Sequence, residues 1–331
     1  MLNLMVSTHP WKVGSAELAL VASLAVLGPS SAQAPPEFTA VEAQANGDLL
    51  LRWSGTPGST QRLQVSSNLR EWTTLTTTRA GASNQETDTG APYQGSRAYR
   101  IVDLGPTNLL TGDHLTIDAG EVVVHPVNHA SLVLQWQNRM IYNDPVGGAA
   151  LYAGISIADL ILVSHSHGDH FNATTLAAVL GPEGQIIAPA AVYSSLSATL
   201  RARTIPLANG QVTNRLNLTV EAVPGYNANH PKGVGNGYVV TLGGRRLYFS
   251  GDTGEVTEMR ALTAIDMALV CMNVPFTMTV AQAVSGVRAL QPQIVYPYYF
   301  RNQDGSQAIT NLFKSQVGTD LGIEVRLRNW Y

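Results

Sequence analysis

Hydrophobic and polar residues follow two different patterns along this chain of 331 residues. Between residues 35 and 105, short alternating runs such as 49–53 and 61–65 are separated by clusters of Gly, Pro, Ser and Asn. Short strands with regular turn signals and almost no helical period predict a small antiparallel β-sandwich. We expect Trp53 and Trp72 in its core, and a linker over residues 105–112.

From residue 113 to residue 331, strand and helix patterns interleave and predict a mixed α/β domain. The run 160–163 is continuously apolar, as expected for a strand that is buried on both faces. Other strands are predicted over 122–124, 131–136, 140–142, 218–220, 238–240, 247–249 and 267–272. Helices are predicted over 174–180, over 192–200, and from a capping box formed by Thr279 and Gln282 through Leu290.

The first 34 residues are typical of a secretory signal peptide. Lys12 supplies a weak positive charge, residues 16–27 are largely apolar, and Ala32-Gln33-Ala34 has the small-x-small form of a cleavage site. An uncleaved anchor is the alternative, but the apolar stretch is short for a bilayer core of about 30 Å. We therefore expect cleavage after Ala34, an exported protein (periplasmic or secreted), and no transmembrane span in the mature chain.

Composition narrows the possible partners of the chain. The formal net charge is −3 and no block of Lys and Arg is present, so nothing favours nucleic acid as a partner. Cys271 is the only cysteine, which excludes an intrachain disulfide. Because Cys271 lies in an apolar run, we interpret it as a buried structural thiol rather than a nucleophile.

The strongest chemical signal is the string His165-Ser166-His167-Gly168-Asp169-His170, directly after the apolar run 160–163. Neutral imidazole nitrogen and carboxylate oxygen are the ligand types that bind Zn²⁺ and neighbouring first-row ions. Because side chains alternate along extended backbone, His165 and His167 can point the same way. Asp169 and His170 can then serve a second ion nearby. The string therefore predicts a metal site at the end of a strand.

This string after a strand resembles the signature of the metallo-β-lactamase superfamily. Residues 243–254, which contain Gly251-Asp252, are similar to the later strand whose Asp bridges two metals in that family. The resemblance covers about residues 113–331 and implies an α/β fold, an αββα sandwich, here preceded by a small all-β sandwich that is weakly similar to fibronectin type III modules. Residues 126–131, 143–145 and 224–227 are most similar to the branch of ascorbate-phosphate lactonase-like and N-acylphosphatidylethanolamine phospholipase D-like hydrolases.

The expected ligands can be assigned to two ions. The first takes His165 and His167 and needs a third nitrogen, for which His230 is the only His downstream of His170. Asn227 competes for that place, but Asn is a poor zinc ligand. The second ion would take Asp169, His170 and Asp252, with Asp252 able to bridge both ions.

The chain departs from the family near its C-terminus. Related enzymes usually add a last His to the second ion, whereas this chain has Tyr299 there and no His after His230. Tyr299 could bind as phenolate, which suits Fe³⁺ better than Zn²⁺, or donate a hydrogen bond to a ligated water. Alternatively, the second site is weak and one metal suffices, or the protein is an inactive descendant.

Three further residues could contribute to the site. His129 resembles a His near the active site of this branch, where it would touch the substrate or support a ligand; the alternative is a loop His that bonds to the backbone. Asp144 could hydrogen-bond a metal-bound imidazole and fix its tautomer, although an Asp before Pro145 is also typical of a turn. Lys232 could meet an anionic substrate group or be a plain loop lysine.

We therefore expect a metal-dependent hydrolase in which a metal-bound hydroxide attacks an ester, lactone or phosphodiester of a small-molecule or lipid-like substrate. Asp169 would orient the nucleophile. The cofactor would be one or two Zn²⁺ ions, with Fe or Mn as alternatives. A non-catalytic or weakly active binding protein is the second hypothesis, and a redox or oxygen-handling site is the third.

Overall fold

The computed structural model describes residues 3–6, 35–90 and 96–328. The chain divides into two compact units, of which unit 1 comprises Met1–Thr116 and Glu121–His125, and unit 2 comprises Ile117–Gly120 and Pro126–Tyr331. Residues 7–34, which form most of the expected signal peptide, lie outside the described residues. The boundary expected between residues 105 and 113 rests on composition and stays a prediction.

Unit 1 is built from antiparallel strands, as the alternating runs predict. Its strands pair in two sets, a sheet of order β2-β3-β6 and a part of a longer sheet with the order β1-β7-β4-β5-β8. The strands are β1 (Asn3–Val6), β2 (Phe38–Ala43), β3 (Leu49–Ser54), β4 (Thr60–Ser66), β5 (Thr73–Arg79), β6 (Ser83–Asp88), β7 (Arg97–Asp103) and β8 (Gly112–Ile117).

The core of unit 1 contains Trp53 but not Trp72. Trp53 is 1% exposed, and its Nε1 donates to Gln61 Oε1 at 2.8 Å. Trp72 precedes β5 and is only half-buried, with the Arg100 guanidinium 4.2 Å from its ring centroid, so the prediction that Trp72 is a core residue was wrong. Tyr99 supplies the second core aromatic side chain instead.

Unit 2 contains two mixed sheets. The first has the order β9-β10-β11-β12-β13-β14, with strands parallel from β11 to β14. Its strands are β9 (Gly120–Asn128, which contributes residues to both units), β10 (Ser131–Trp136), β11 (Arg139–Asn143), β12 (Ala158–Leu162), β13 (Leu180–Ala188) and β14 (Thr204–Pro206).

The second sheet of unit 2 follows the chain from β15 to β21 and is parallel from β18 onward. Its strands are β15 (Val212–Arg215), β16 (Leu218–Gly225), β17 (Gly235–Leu242), β18 (Arg245–Phe249), β19 (Met267–Cys271), β20 (Ile294–Tyr298) and β21 (Glu324–Val325). All five residues of β19 are buried, and burial raises the pKa of the Cys271 thiol. The prediction of a buried cysteine is therefore confirmed.

In the part of unit 2 that the structure describes, six α-helices connect the strands. They are α1 (Ala173–Val179), α2 (Ala190–Ser195), α3 (Ala198–Arg201), α4 (Thr257–Arg260), α5 (Val280–Leu290) and α6 (Thr310–Val317), and a 3₁₀ turn spans Ala149–Tyr152. The capping box of Thr279 and Gln282 is present at the start of α5, as predicted. Among the described residues, no helix has the length and hydrophobicity needed to cross a bilayer.

The predicted helix over 192–200 is wrong as a single element. Two short helices, α2 and α3, take its place because Leu196 and Ser197 both adopt extended backbone angles. The Ser197 side chain then accepts a hydrogen bond from Leu200 N and caps α3. A serine that satisfies a free backbone N–H favours a new helix start over continuation of the old one.

Parallel strand order in both sheets decides where the polar segments meet. Asp144 follows β11 and His165 follows β12, while Asp252 follows β18 and Tyr299 follows β20. The two sheets are joined at this level, since Tyr238 Oη on β17 donates to Val163 O at 2.8 Å and Asn236 N donates to Ser164 O at 2.9 Å. The carboxyl ends of strands from both sheets therefore converge on one place.

Candidate metal centre

The histidine-rich loop leaves β12 and folds back in a tight turn. Both His170 N and Phe171 N donate to His167 O, at 3.0 and 2.8 Å. His165 and His170 are buried, whereas His167 and Asp169 are exposed. The turn brings three imidazoles of one short segment together, with ring centroids of His165 lying 4.9 Å from His167 and 4.2 Å from His170.

His230 joins this cluster from the loop between β16 and β17. Its Nε2 lies 2.9 Å from His167 Nδ1, and its ring centroid lies 4.7 Å from that of His165. Asn227 shapes the loop, because its Oδ1 accepts from Asn229 N at 2.7 Å and from His230 N at 3.1 Å. Asn227 thus holds the loop that carries His230, while the imidazole itself points to the other histidines.

Asp252 is delivered by a glycine turn after β18. Gly251 has a φ of 57°, and a Cβ there would come within 2.8 Å of Asn236 O and 3.1 Å of Ser164 Cβ. Only glycine tolerates both the left-handed conformation and this close approach. The turn is also held by β20, because Gly251 N donates a hydrogen bond to Tyr298 Oη at 3.0 Å. The Gly-Asp pair therefore aims the Asp252 carboxylate at the histidines.

Among residues 3–6, 35–90 and 96–328, two groups of side chains place their ligand atoms within 4.8 Å of one another. The first group is His165, His167 and His230, and the second is His165, His170 and Asp252. Asp252 Oδ1 lies 3.1 Å from His170 Nε2, and Asp252 Oδ2 lies 3.7 Å from His165 Nε2. Five of the six expected ligands thus meet, and Asp169 belongs to neither group.

Asp144 anchors the back of the site. It is fully buried, and it accepts from Ser164 N and Ser164 Oγ at 2.7 Å each and from His170 Nδ1 at 2.8 Å. A carboxylate that accepts from Nδ1 leaves Nε2 of the same ring facing Asp252. The structure therefore brings Asp144 into the supporting place that the sequence suggested.

The pKa values of the buried histidines are shifted in opposite directions. Burial and the neighbouring His170 lower the pKa of His165 to about 2, and burial lowers the pKa of His230 as well. His170 behaves differently, because burial disfavours its charge but the carboxylates of Asp252 and Asp144 outweigh that effect and raise its pKa well above the usual value. His165 and His230 are thus held neutral, which is the form that binds a metal.

Three buried polar atoms of the second group lack a hydrogen-bond partner: His165 Nε2, His170 Nε2 and Asp252 Oδ1. The 3.1 Å approach of His170 Nε2 to Asp252 Oδ1 does not have hydrogen-bond geometry. Leaving such groups unsatisfied in the interior costs roughly 1–3 kcal/mol each. A divalent cation would satisfy imidazole nitrogen and carboxylate oxygen together, so the residues fit a metal ion.

Tyr299 occupies the edge of the site beside the second group. It is 2% exposed and has a φ of 49°, and its hydroxyl donates a short hydrogen bond to Asp169 Oδ2. Its ring centroid lies 4.3 Å from that of His129 and 4.8 Å from that of His170. Burial and the carboxylates of Asp252 and Asp169 raise the pKa of the Tyr299 phenol. A neutral phenol suits this donor role.

His129 and Arg301 form the rim next to Tyr299. Arg301 Nη2 donates to Asn128 Oδ1 at 2.8 Å, and burial together with the charge of Arg301 lowers the pKa of His129 to about 4. Arg301 was not predicted from the sequence, although its place two residues after Tyr299 was a usable signal. The other candidate cation, Lys232, pairs with Glu258 and lies 5.7 Å from the Tyr226 ring.

Comparison with known proteins identifies the family of this chain. Residues 124–299, just over half of the chain, match the model of the beta-lactamase superfamily domain. The chain belongs to the metallo-β-lactamase superfamily. A UPF0173 metal-dependent hydrolase of Thermus thermophilus is 30% identical over 200 residues, which are 56% of this chain and 88% of that protein.

The fold of this superfamily member is also similar to the folds of solved structures. A protein named as a metal-dependent hydrolase from Parabacteroides distasonis is 33% identical, with a TM-score of 0.59 over 66% of this chain and 99% of that chain. CmlA, a diiron β-hydroxylase from Streptomyces venezuelae, is 15% identical, with a TM-score of 0.50 over 85% of this chain and 68% of that chain, and shows the fold alone. The expected α/β sandwich with a preceding β domain is confirmed, and the protein is a metal-dependent hydrolase.

Proposed function

We propose that this metal-dependent hydrolase uses Zn²⁺ to cleave an ester, lactone or phosphodiester bond. The observation that carries the proposal is the convergence of His165, His167 and His230, each able to give one nitrogen within 4.8 Å of the others. Three protein ligands with a remaining open position are typical of catalytic zinc sites. The low pKa values of His165 and His230 keep these nitrogens available at neutral pH.

The residues around the ion would position the attacking water and hold the ligands in place. When bound, the ion would supply a water of lowered pKa, near 7 for zinc, and a Lewis acid for the attacked oxygen. Asp169, with an exposed carboxylate held by Tyr299 beside His170, would orient the attacking water and accept its proton. Asp144 would keep the His170 ring in place through its Nδ1.

Charge at the rim favours a substrate with an anionic group. Arg301 adds a positive charge next to His129, and the Asn128 side chain fixes one end of its guanidinium. Arginine suits phosphate and carboxylate because its planar donors can bind two oxygens at once. Together with the resemblance to phospholipase D-like hydrolases, this favours a phosphodiester within a small-molecule or lipid-like substrate. The net charge of −3 gives no support to a nucleic-acid substrate.

Hydrolysis of a chromogenic panel tests this function. Zinc-loaded wild type should cleave at least one of bis-p-nitrophenyl phosphate, p-nitrophenyl acetate and a γ-lactone, and His167→Ala should lower kcat/KM by about a hundredfold or more because one nitrogen of the three-histidine group is lost. His125→Gln is a matched control, since His125 lies in unit 1 and contacts the Thr111 main chain. Equal rates for wild type and His167→Ala, or no turnover of any panel compound, would contradict the proposal.

We also propose that the protein is exported. The support is the sequence pattern of the first 34 residues, above all Ala32-Gln33-Ala34. In the full chain, β1 pairs antiparallel with β7, from Asn3 opposite Arg100 to Val6 opposite Arg97. Cleavage after Ala34 would remove this strand and leave that edge of β7 for another partner.

A further inference from the structure

The two ligand groups of the metal centre cannot both be complete. They share His165, whose Nδ1 lies 3.1 Å from Ser164 Oγ, so Nε2 is the nitrogen that remains for an ion. One nitrogen serves one ion. If His165 serves the ion at His167 and His230, the second position keeps only His170 and Asp252, which is fewer than the three or four protein ligands of known zinc sites.

Asp169 is the residue that could complete the second position, and it is held elsewhere. Its Oδ2 accepts a hydrogen bond from the Tyr299 hydroxyl and lies 3.8 Å from His170 Nε2. Asp169 belongs to neither group of converging ligand atoms, and the hydrogen bond directs its Oδ2 towards the phenol. Asp169 itself is exposed, so packing does not fix its position and the hydrogen bond does.

Tyr299 is well placed to keep this contact. Its ring is packed between His129 and His170, at centroid distances of 4.3 and 4.8 Å. It is 2% exposed, and its φ of 49° is rare for a bulky side chain, so the surrounding structure fixes the residue in that conformation. The phenol therefore has little freedom to leave Asp169 or to turn towards the other ligands.

We propose that Tyr299 makes this a one-ion centre: its hydrogen bond holds Asp169 off the His170–Asp252 position, so that the protein binds one divalent ion tightly, at His165, His167 and His230, and a second ion only weakly. Tyr299 is thus a positioning residue for Asp169. The inference concerns metal binding and does not depend on which bond the enzyme hydrolyses.

Titration of the metal-free full chain with Co²⁺ tests this inference, with visible absorption and calorimetry as the readouts. Wild type should show one tight equivalent, followed by a second phase that is about ten- to a hundredfold weaker or absent. Tyr299→His offers a nitrogen to the second position and should bring the second equivalent into the tight phase. Tyr299→Phe frees Asp169 and should tighten the second phase by about tenfold, while leaving the first equivalent unchanged.

Two further variants keep the test decisive. Tyr142→Phe is the matched control, because Tyr142 is also buried and donates its hydroxyl to a backbone carbonyl, that of Ser156; its titration should equal that of wild type. Asp169→Asn changes an exposed side chain, so it should fold even where Tyr299 variants do not. It should leave the tight equivalent unchanged.

Three results would overturn the inference. Wild type could bind two ions with equal affinity. Tyr299→Phe could weaken the second ion, which would make the phenol a ligand. Asp169→Asn could remove the tight ion. Failure of the hydrolase proposal looks different, because it leaves these titrations intact while no panel substrate is cleaved.

Discussion

His129 is not one of the expected ligands, and its ionisation should be measurable in solution. Its pKa is lowered to about 4 by burial and by the charge of Arg301, against about 6.5 in an unfolded chain. Below pH 6.5 the unfolded chain therefore takes up a proton that folded His129 refuses, and stability falls until the pH reaches about 4.

This sign gives a prediction for the metal-free protein. Between pH 7 and pH 5, wild type should lose about 1–2 kcal/mol more of its free energy of unfolding than His129→Asn, after allowance for the partial exposure of the ring. Asn is chosen because it tolerates the positive φ of 56° at this position. Urea unfolding at the two pH values measures the difference, and an equal loss in both proteins would contradict the lowered pKa.

At the level of single residues, the sequence predicted which side chains converge better than it predicted their contacts. His165, His167 and His170 stand in one short string, and His230 was the only remaining downstream histidine, so their grouping could be predicted from chemistry and elimination, while their role as ligands stays a prediction. The bond between Tyr299 and Asp169 joins residues 130 positions apart. No local sequence pattern predicts a contact between residues so far apart in the chain. The order of the parallel strands brings the two side chains together.

Secondary-structure elements were predictable where the local signal agreed with tertiary packing. The Thr279–Gln282 capping box gave the start of α5 because its bonds are local. The run 192–200 was misread because apolar residues at helical spacing do not reveal that Ser197 starts a second helix. Trp72 was misplaced for a similar reason, since alternation alone does not show that Arg100 covers its ring.

The N-terminal segment carries a prediction of its own. If residues 1–34 are a signal peptide, protein recovered from the periplasm or medium of a secreting host should begin at Pro35. N-terminal sequencing or intact mass measures this. Ala34→Phe, which places a bulky residue at the cleavage site, should retain the full N-terminus. A wild-type protein that stays in the cytoplasm and begins at Met1, with β1 still paired to β7, would contradict export.

At the scale of the whole molecule, the expected chemistry falls within one of the two units. Every expected ligand lies in unit 2, and within it the two sheets deliver Asp144, the histidine loop, Asp252 and Tyr299 to the carboxyl ends of their parallel strands. Interleaved strand and helix patterns were enough to predict a mixed α/β domain. The two-sheet arrangement came from family resemblance, because periodicity does not state which strands pair.

One measurement tests the central claim most directly: hydrolysis by chelator-treated full-length protein as Zn²⁺ is added back, with bound zinc determined by elemental analysis on the same samples. We predict no turnover without metal and full recovery at about one bound equivalent, because His165, His167 and His230 are, among the residues that the structure describes, the one group with three converging nitrogens. Recovery only at two equivalents would contradict the one-ion centre. Full turnover with no bound metal, or none at any zinc content, would contradict the metal-dependent hydrolase itself.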